Sequence, residues 1–401
     1  MMIDICIIGG GASGLAAAVS AAEQKQGRVL ILEKKQMPGK KIAASGNGRC
    51  NLTNRKCSGA LETLDFFASL GVFTYTDGEG RVYPNSNQAK DVVYALVRAA
   101  KSLGVELKTE CTVEKILPLS GRGGFQVRYK GGTLEAKKVL LACGGKAGPQ
   151  LGTSGDGYGL AKALGHKVTR LAPILTGLET RENLKQLKGV RAMARVGLRK
   201  DGKLMAEETG EVQFNEDGIS GICVMNLSRQ VKLEPGETFA EGIARYQICF
   251  DFLPEMDWEE TIVLLHRRQN IMELAVEDLF LSIVPSKLKQ VLAEKSGLAC
   301  GTQAALLSEG EVESAARILK SWTLSLSGVK GWNYAQCTSG GIPFGEVNGD
   351  TMESQLIPGL YFSGEILDFD GPCGGFNLQH AWETGRKAGK AMANAISNSS
   401  D

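Results

Sequence analysis

Three glycines, one acidic residue and two polar turns carry the first signs of chemistry in this sequence. Gly9, Gly11 and Gly14 fit G-x-G-x-x-G within GGGASG. A turn of this composition lets backbone approach a diphosphate, and the helix N-terminus that follows favours its negative charge. Glu33 comes about 20 residues later, the spacing at which a carboxylate meets ribose hydroxyls. The run SGNGRCNLTN, residues 45–54, combines two glycines, three asparagines, Arg49 and Cys50 with almost nothing apolar. Its glycines give N–H groups room to approach a ligand, Asn47, Asn51 and Thr53 suit polar ligand edges, and Arg49 suits an anion. A second such turn comes late, where Gly364 and Glu365 precede Asp370, Gly371, Gly374, Gly375, Phe376 and Asn377.

The elements around these residues supply a frame. IDICII (3–8) reads as a buried parallel strand, ASGLAAAVSAAEQKQG as a small-residue helix ended by Gly27, and RVLILE as a second strand closing on Glu33. This βαβ unit, with its turn and terminal acid, predicts a dinucleotide site. Glu33 would repel a 2′-phosphate, which leaves FAD or NAD as the resident. A third buried run, KKVLLACGGKAG (137–148), ends in Cys143, Gly144 and Gly145, followed by TSGDGYG. Three glycine-ended strands spread along the chain and converging on one ligand predict non-covalent FAD; a simple NAD dehydrogenase has no use for the late turn.

The residues expected to touch FAD therefore begin with Gly9, Gly11, Ala12, Ser13 and Gly14, then Glu33 and Lys34. Lys41, Ser45, Asn47, Gly48, Arg49, Cys50, Asn51 and Thr53 follow, with Val113 on a later strand. Cys143, Gly144, Gly145, Gly364, Glu365, Asp370, Gly371, Gly374, Gly375, Phe376 and Asn377 complete the set.

Composition narrows the class. The chain has 401 residues, 43% hydrophobic, with 46 basic against 44 acidic side chains. That is long enough for several units and too balanced for a polybasic nucleic-acid binder. The ten cysteines form no CxxC pair and no zinc spacing, so no metal site is expected. MMIDICIIGG enters a strand without a basic leader, and no apolar run of membrane-spanning length occurs. Reduced thiols, a cytoplasmic location and no membrane partner are the resulting expectations.

The blocks IIGGGASGLAAA, PGKKIAASGNGRCNLTN, GRVYPNSNQAKDVV, LLACGGKAGPQLGTSGDGYGLAKALGH, TSGGI and LYFSGEILDFDGPCGGFNLQHAW resemble the BaiN/RdsA-type NAD(P)/FAD-dependent oxidoreductases. GRCNLTN and GPCGGFN are specific to that group, and the resemblance spans essentially the whole chain. His380 departs from it, standing where an aromatic or aliphatic residue is expected. The resemblance implies an α/β fold with a Rossmann-like, glutathione-reductase-like FAD domain built from both chain ends (1–188 and 338–401) around a middle insertion.

Sequence texture agrees, with VRAMARVGL and RYQICFDFL alternating as antiparallel strands. A β-rich module is expected over 189–256 and 322–337, interrupted by a helical subdomain over 257–321. Asp257, Pro285 and the Ser308/Glu311 pair are placed to open helices there. This insertion is expected to roof a substrate cleft.

The resemblance implies two substrates that share chemistry: the Δ4 and Δ6 double bonds of 3-oxo bile acids, and the uracil C5=C6 bond of 23S ribosomal RNA. Both are alkenes conjugated to a carbonyl, reduced by hydride at the β-carbon and a proton at the α-carbon. NAD(P)H is the expected electron donor. With no second dinucleotide fold in the sequence, it would bind in the cleft or the insertion. Cys50, Cys373 and His380 are the candidates for the proton. Arg49 suits the pyrophosphate first and a substrate carbonyl second.

Between 181 and 203 lie Arg181, Lys185, Lys188, Arg191, Arg195, Arg199, Lys200 and Lys203, opposed only by Glu182 and Asp201. This is either a phosphate-tracking patch or a solvated strand face. The stretch lacks aromatics for base stacking, so a small lipophilic enone is favoured over RNA. A flavin-based redox sensor is the alternative of another class, and an oxidase returning electrons to oxygen a further enzyme reading.

Overall fold

The computed structural model describes residues 2–398 apart from 122 and 235. The chain divides into two compact units, Met1–Pro173 with Ala335–Asp401, and Ile174–Tyr334.

The first unit is built on a seven-stranded sheet. Its parallel part runs Glu106–Lys108, Val29–Leu32, Ile3–Ile8, Gly132–Leu141 and Leu360–Phe362. Phe125–Tyr129 and Val113–Pro118 extend it antiparallel beyond Gly132–Leu141. The central strands are unbroken apolar runs because both sheet faces are covered: Ile5, Ile7, Ile31, Leu140 and Leu141 are fully buried. The first helix, Ala12–Ala22, and the long helix Phe376–Ser397 pack closely against each other on this unit. Alanines and glycines at the contact let the two backbones approach.

The second unit contains a closed barrel in the order Leu178–Thr180, Gly218–Ser220, Lys203–Asn215, Arg191–Lys200, Tyr246–Asp251 and Trp322–Val329. Alternate residues of Tyr246–Asp251 and Trp322–Val329 point inward, as their period-two pattern predicts. Phe250 meets Trp322 at 5.3 Å between ring centroids, and Phe214 meets Trp322 at 5.8 Å, so aromatic side chains fill the interior. Asp257 and Ser308 each form a capping box, with Glu260 and Glu311, at the starts of Trp258–Gln269 and Glu309–Ser321. Pro285 sits at the N-cap of Ser286–Lys295, one position ahead of the first helical turn.

Two features differ from the sequence reading. The barrel begins with Leu178–Thr180, ahead of residue 189, and the unit boundaries fall at 173/174 and 334/335. The helical stretch also shares one hydrophobic core with the barrel, Leu265, Leu292, Val312 and Leu319 clustering with Phe214, Ile248 and Leu324.

The basic run is partly paired with acids where it forms a strand. Arg191–Lys200 pairs antiparallel with Lys203–Asn215. Arg191 reaches Glu211 at 3.3 Å and Arg195 reaches Glu207 at 3.7 Å, while Lys200 pairs with Glu234 and Lys188 with Glu216. Such cross-strand pairs leave an exposed face of mixed charge rather than a cationic track.

Candidate cofactor and active site

The first unit gathers the glycine turns of the two chain ends. Gly9 N–H donates to Leu32 O at 2.9 Å, locking the turn onto the second strand. A Cβ on Gly14 would stand 1.9 Å from Gly9 O, so only glycine lets the helix start this close. A Cβ on Gly11 would meet nothing within 4 Å, which leaves open space above the turn. Ala12 and Ser13 open the helix, and Ser13 Oγ donates to Ser363 O at 3.2 Å. Glu33 accepts Gly10 N–H and Lys35 N–H, each at 2.7 Å. Those bonds orient its carboxylate and leave lone pairs for hydroxyl donors. Val113 begins a strand beside the same residue, since Cys111 N–H donates to Glu33 O at 2.9 Å. The Lys34 ammonium pairs with Asp156 and donates to Ser154 Oγ.

A second cluster joins four segments distant in sequence. Lys41 Nζ donates to Glu365 Oε2 at 2.6 Å and to Ala147 O at 3.1 Å. Thr338 N–H donates to Glu365 Oε1 at 2.9 Å, and Thr338 Oγ1 accepts Lys146 N–H and Ala147 N–H. Gly144 and Gly145 bring the chain under this group; a Cβ on Gly145 would stand 2.4 Å from Thr338 Oγ1. Gly364 packs equally tightly, its Cβ position lying 2.6 Å from Ser13 Oγ. Cys143 is held by Ile8 O, and burial pushes its thiol up to about 12. Asp370 accepts Ser339 Oγ at 2.7 Å.

The polar run 45–54 forms a left-handed loop, with φ of +56° at Gly46, +57° at Asn47, +80° at Gly48 and +59° at Cys50. Two non-glycine residues in this region store strain of the kind that clusters at binding sites. The loop is stitched to the late turn and the helix after it by Trp382 Nε1 to Leu52 O at 2.9 Å, Asn54 Nδ2 to Gly374 O at 3.0 Å, and Thr53 Oγ1 to Gln379 Oε1 at 2.6 Å. The side chains of Thr53, Ser45 and Asn377 are thus engaged within the protein. Ser45 Oγ donates to Ile42 O, and Asn377 clamps both the N–H and the carbonyl of Gly371.

Asn51 differs from them. Its Oδ1 is buried without a partner among the described residues, and it lies 2.9 Å from the Cβ position of Gly375. Gly375, at φ +101°, caps the long helix without a side-chain bond, and no acid occupies the first turn of Phe376 and Asn377. A bare acceptor beside uncapped N–H donors matches the alternating carbonyl, N–H, carbonyl edge of a flavin pyrimidine. The residues present therefore fit FAD.

The proton-donor candidates fare unequally. Cys50 is fully buried, and burial pushes its thiol up to about 12, which makes it a weaker proton donor than a free thiol. Cys50→Ala is expected to lower stability by about 1 kcal/mol while FAD stoichiometry and kcat stay within about twofold, measured on the purified variant. Cys373 is half-buried in the late turn. The His380 ring stacks on Phe369 at 4.1 Å, its Nε2 is buried and unpartnered, and burial lowers its pKa to about 4. It is neutral at pH 7 and delivers no proton as an imidazolium.

The same burial makes His380 an acid-sensitive point. The unfolded imidazole protonates near its ordinary value of 6.5 and the folded one only near 4, so stability is full above 6.5 and falls as pH drops towards 4. From pH 7 to pH 5 the expected loss is roughly 2 kcal/mol, read by urea unfolding. His380→Phe should lose less over the same interval.

Several residues of this unit carried no signal in the sequence. Thr338 lies within the quoted TSGGI block, but only the fold brings it to Glu365. Tyr158 Oη donates to Glu365 O at 3.1 Å. His166, buried, bridges Glu346 at 2.8 Å and Ser354 at 3.0 Å across long sequence separations.

Comparison with known proteins agrees with this geometry. The model of the HI0933-like protein Rossmann domain matches residues 3–61 and 59–391. The 3-dehydro-bile acid delta(4,6)-reductase of Clostridium scindens is 40% identical over 414 aligned positions, covering 98% of this chain and 99% of that one. The ribosomal RNA dihydrouridine synthase of Escherichia coli is 28% identical, covering 95% and 96%. Among solved structures, the 3-ketosteroid-Δ4-(5α)-dehydrogenase of Rhodococcus jostii aligns with a TM-score of 0.50 at 15% identity, covering 98% of this chain and 97% of that one. The FrdA chain of E. coli quinol fumarate reductase aligns with a TM-score of 0.52 at 16% identity, covering 100% and 71%. These structural likenesses are of fold. No helix among the described residues is long and apolar enough to cross a membrane. A family match that runs from the first strand into the long last helix, joined to 40% identity along both full lengths, makes this chain a member of the HI0933-like family of Rossmann-domain flavoproteins.

Proposed function

We propose that the protein is an FAD-dependent reductase that uses NAD(P)H to saturate a carbon–carbon double bond conjugated to a carbonyl. The favoured substrate is a 3-oxo-Δ4 or Δ4,6 steroid acid of the bile-acid type. The observation that carries this reading is the 40% identity, along both full lengths, to a reductase of that substrate class. The partly paired strand Arg191–Lys200 supports a small molecule over ribosomal RNA, because Arg191 and Arg195 already face Glu211 and Glu207.

Bound FAD would supply the redox chemistry, a hydride relay from the nicotinamide to the β-carbon of the enone. The protein's part is placement. The turn at Gly9–Gly14 and Glu33 would hold the adenosine diphosphate half. Lys41 and Glu365 would flank the ribityl chain, and Asn51 with the helix start at Gly375 would fix the pyrimidine edge. The α-carbon proton would come from solvent or from Cys373. The overall balance is enone, NAD(P)H and one proton to saturated ketone and NAD(P)⁺.

Steady-state assays with NADH or NADPH and a 3-oxo-Δ4 bile acid test the reading. Loss of the enone chromophore together with one nicotinamide oxidised per double bond is expected. Nicotinamide oxidation matched only by peroxide formation would instead identify an oxidase.

A further inference from the structure

Arg49 rests on an aromatic ring. Its guanidinium carbon lies 4.8 Å over the Tyr83 ring, and its Nε donates to Gly46 O at 3.3 Å. Tyr83 in turn stacks on Tyr75 at 5.8 Å, and Tyr75 Oη donates to Asn87 Oδ1 at 2.7 Å. The arginine is exposed, yet its position is set by an aromatic platform and by the strained loop that carries it.

The charges around it leave it unsatisfied. The hairpin below holds Asp77 and Glu79, and Arg81 takes both, at 2.8 and 2.9 Å. Arg55, the other nearby arginine, donates to Thr76 Oγ1. Among the described residues no carboxylate stands within ion-pair distance of Arg49. With the ring below and Nε already bound, what remains free is the pair of terminal nitrogens, whose parallel N–H bonds match a carboxylate in bidentate fashion. The loop that carries Arg49 also carries Asn51, whose bare oxygen faces the proposed flavin edge.

We infer that Arg49 is the anchor for an anionic carboxylate on the substrate, which makes the enzyme selective for acidic enones over their neutral counterparts. The inference rests on the reductase reading for the identity of the substrate, but its test does not need turnover. The probes are a 3-oxo-Δ4 bile acid and its methyl ester, titrated into FAD-loaded wild-type and Arg49→Gln protein and followed by perturbation of the flavin absorbance. FAD dissociation constants of both proteins are measured alongside.

The wild type should bind the acid about tenfold more tightly than the ester, the effect of one charge-assisted bidentate pair. Arg49→Gln should lose that preference, Arg49→Lys should keep part of it, and FAD affinity should stay within about twofold. An acid-to-ester ratio unchanged by Arg49→Gln overturns the inference, as does a wild type that binds neither probe. A large loss of FAD affinity with the ratio intact also overturns it and returns Arg49 to the pyrophosphate. If the wild type binds the acid through Arg49 but never reduces it, the reductase reading fails and the anchor stands.

Discussion

Gly389→Val is expected to destabilise the protein by at least about 3 kcal/mol, and to leave little soluble folded protein. The reason is the approach of two backbones. A Cβ on Gly389 would stand 2.2 Å from Ala17 O, and one on Gly385 would stand 2.3 Å from Ser13 O. Both obstacles are main-chain carbonyls of the helix Ala12–Ala22, so no rotamer change relieves the overlap. The helices would have to separate, opening a contact in which Ala16, Ala17, Trp382, Ala388 and Met392 are fully buried. Even Gly389→Ala, which gains about 1 kcal/mol of helix propensity, should be destabilising. Lys390→Val, one position on and exposed, is the control and should change stability by less than about 0.5 kcal/mol. Urea unfolding of the three variants checks this; near-equal stability of Gly389→Val and Lys390→Val would contradict the packing described.

Lys41→Met is expected to raise the FAD dissociation constant by about 10- to 100-fold while the fold is retained. Lys41 and Glu365 have side chains only 28% and 18% exposed, and in the cofactor placement proposed above the pair would flank the ribityl chain. Without the ammonium, Glu365 keeps one N–H partner, that of Thr338, and presents an uncompensated carboxylate to an anionic cofactor. The lost charge-assisted bond and the new repulsion together correspond to roughly 1.5–3 kcal/mol. Glu365→Gln should cost less, because its amide oxygen still accepts from Lys41. Reconstitution of apoprotein with FAD, followed by flavin fluorescence quenching, measures both. A dissociation constant within twofold of wild type in Lys41→Met would remove this pair from the cofactor site.

The nucleotide turn was legible in the sequence because its signals are local. The strand, turn, helix and acid of residues 3–33 lie within one βαβ unit, and each constrains the next. The capping boxes at Asp257 and Ser308 were legible for the same reason.

What depended on distant partners was not. Cys50 and Leu52 sit in a run of polar residues, yet both are fully buried, because the chain's last helix returns to cover them and Trp382 bonds to Leu52 O. Arg49 reads as a phosphate ligand from its neighbours in sequence, whereas Tyr83, on a separate hairpin, decides where its guanidinium rests. The spacing of Gly385 and Gly389 is visible, but nothing in that helix says that Ser13 and Ala17 face it. The three-residue strand Leu178–Thr180 has too little alternation to be read, and only its pairing with Gly218–Ser220 and Trp322–Val329 reveals it.

The reductase reading is tested most directly by a single turnover without any nicotinamide. The FAD-loaded protein is reduced anaerobically by dithionite, freed of reductant, and mixed in separate experiments with a 3-oxo-Δ4 bile acid and with unmodified 23S RNA. The bile acid is expected to restore the oxidised flavin spectrum, with one C4–C5 double bond saturated per flavin, and the RNA to leave the flavin reduced. Reoxidation by the RNA alone, or by neither, would contradict that reading.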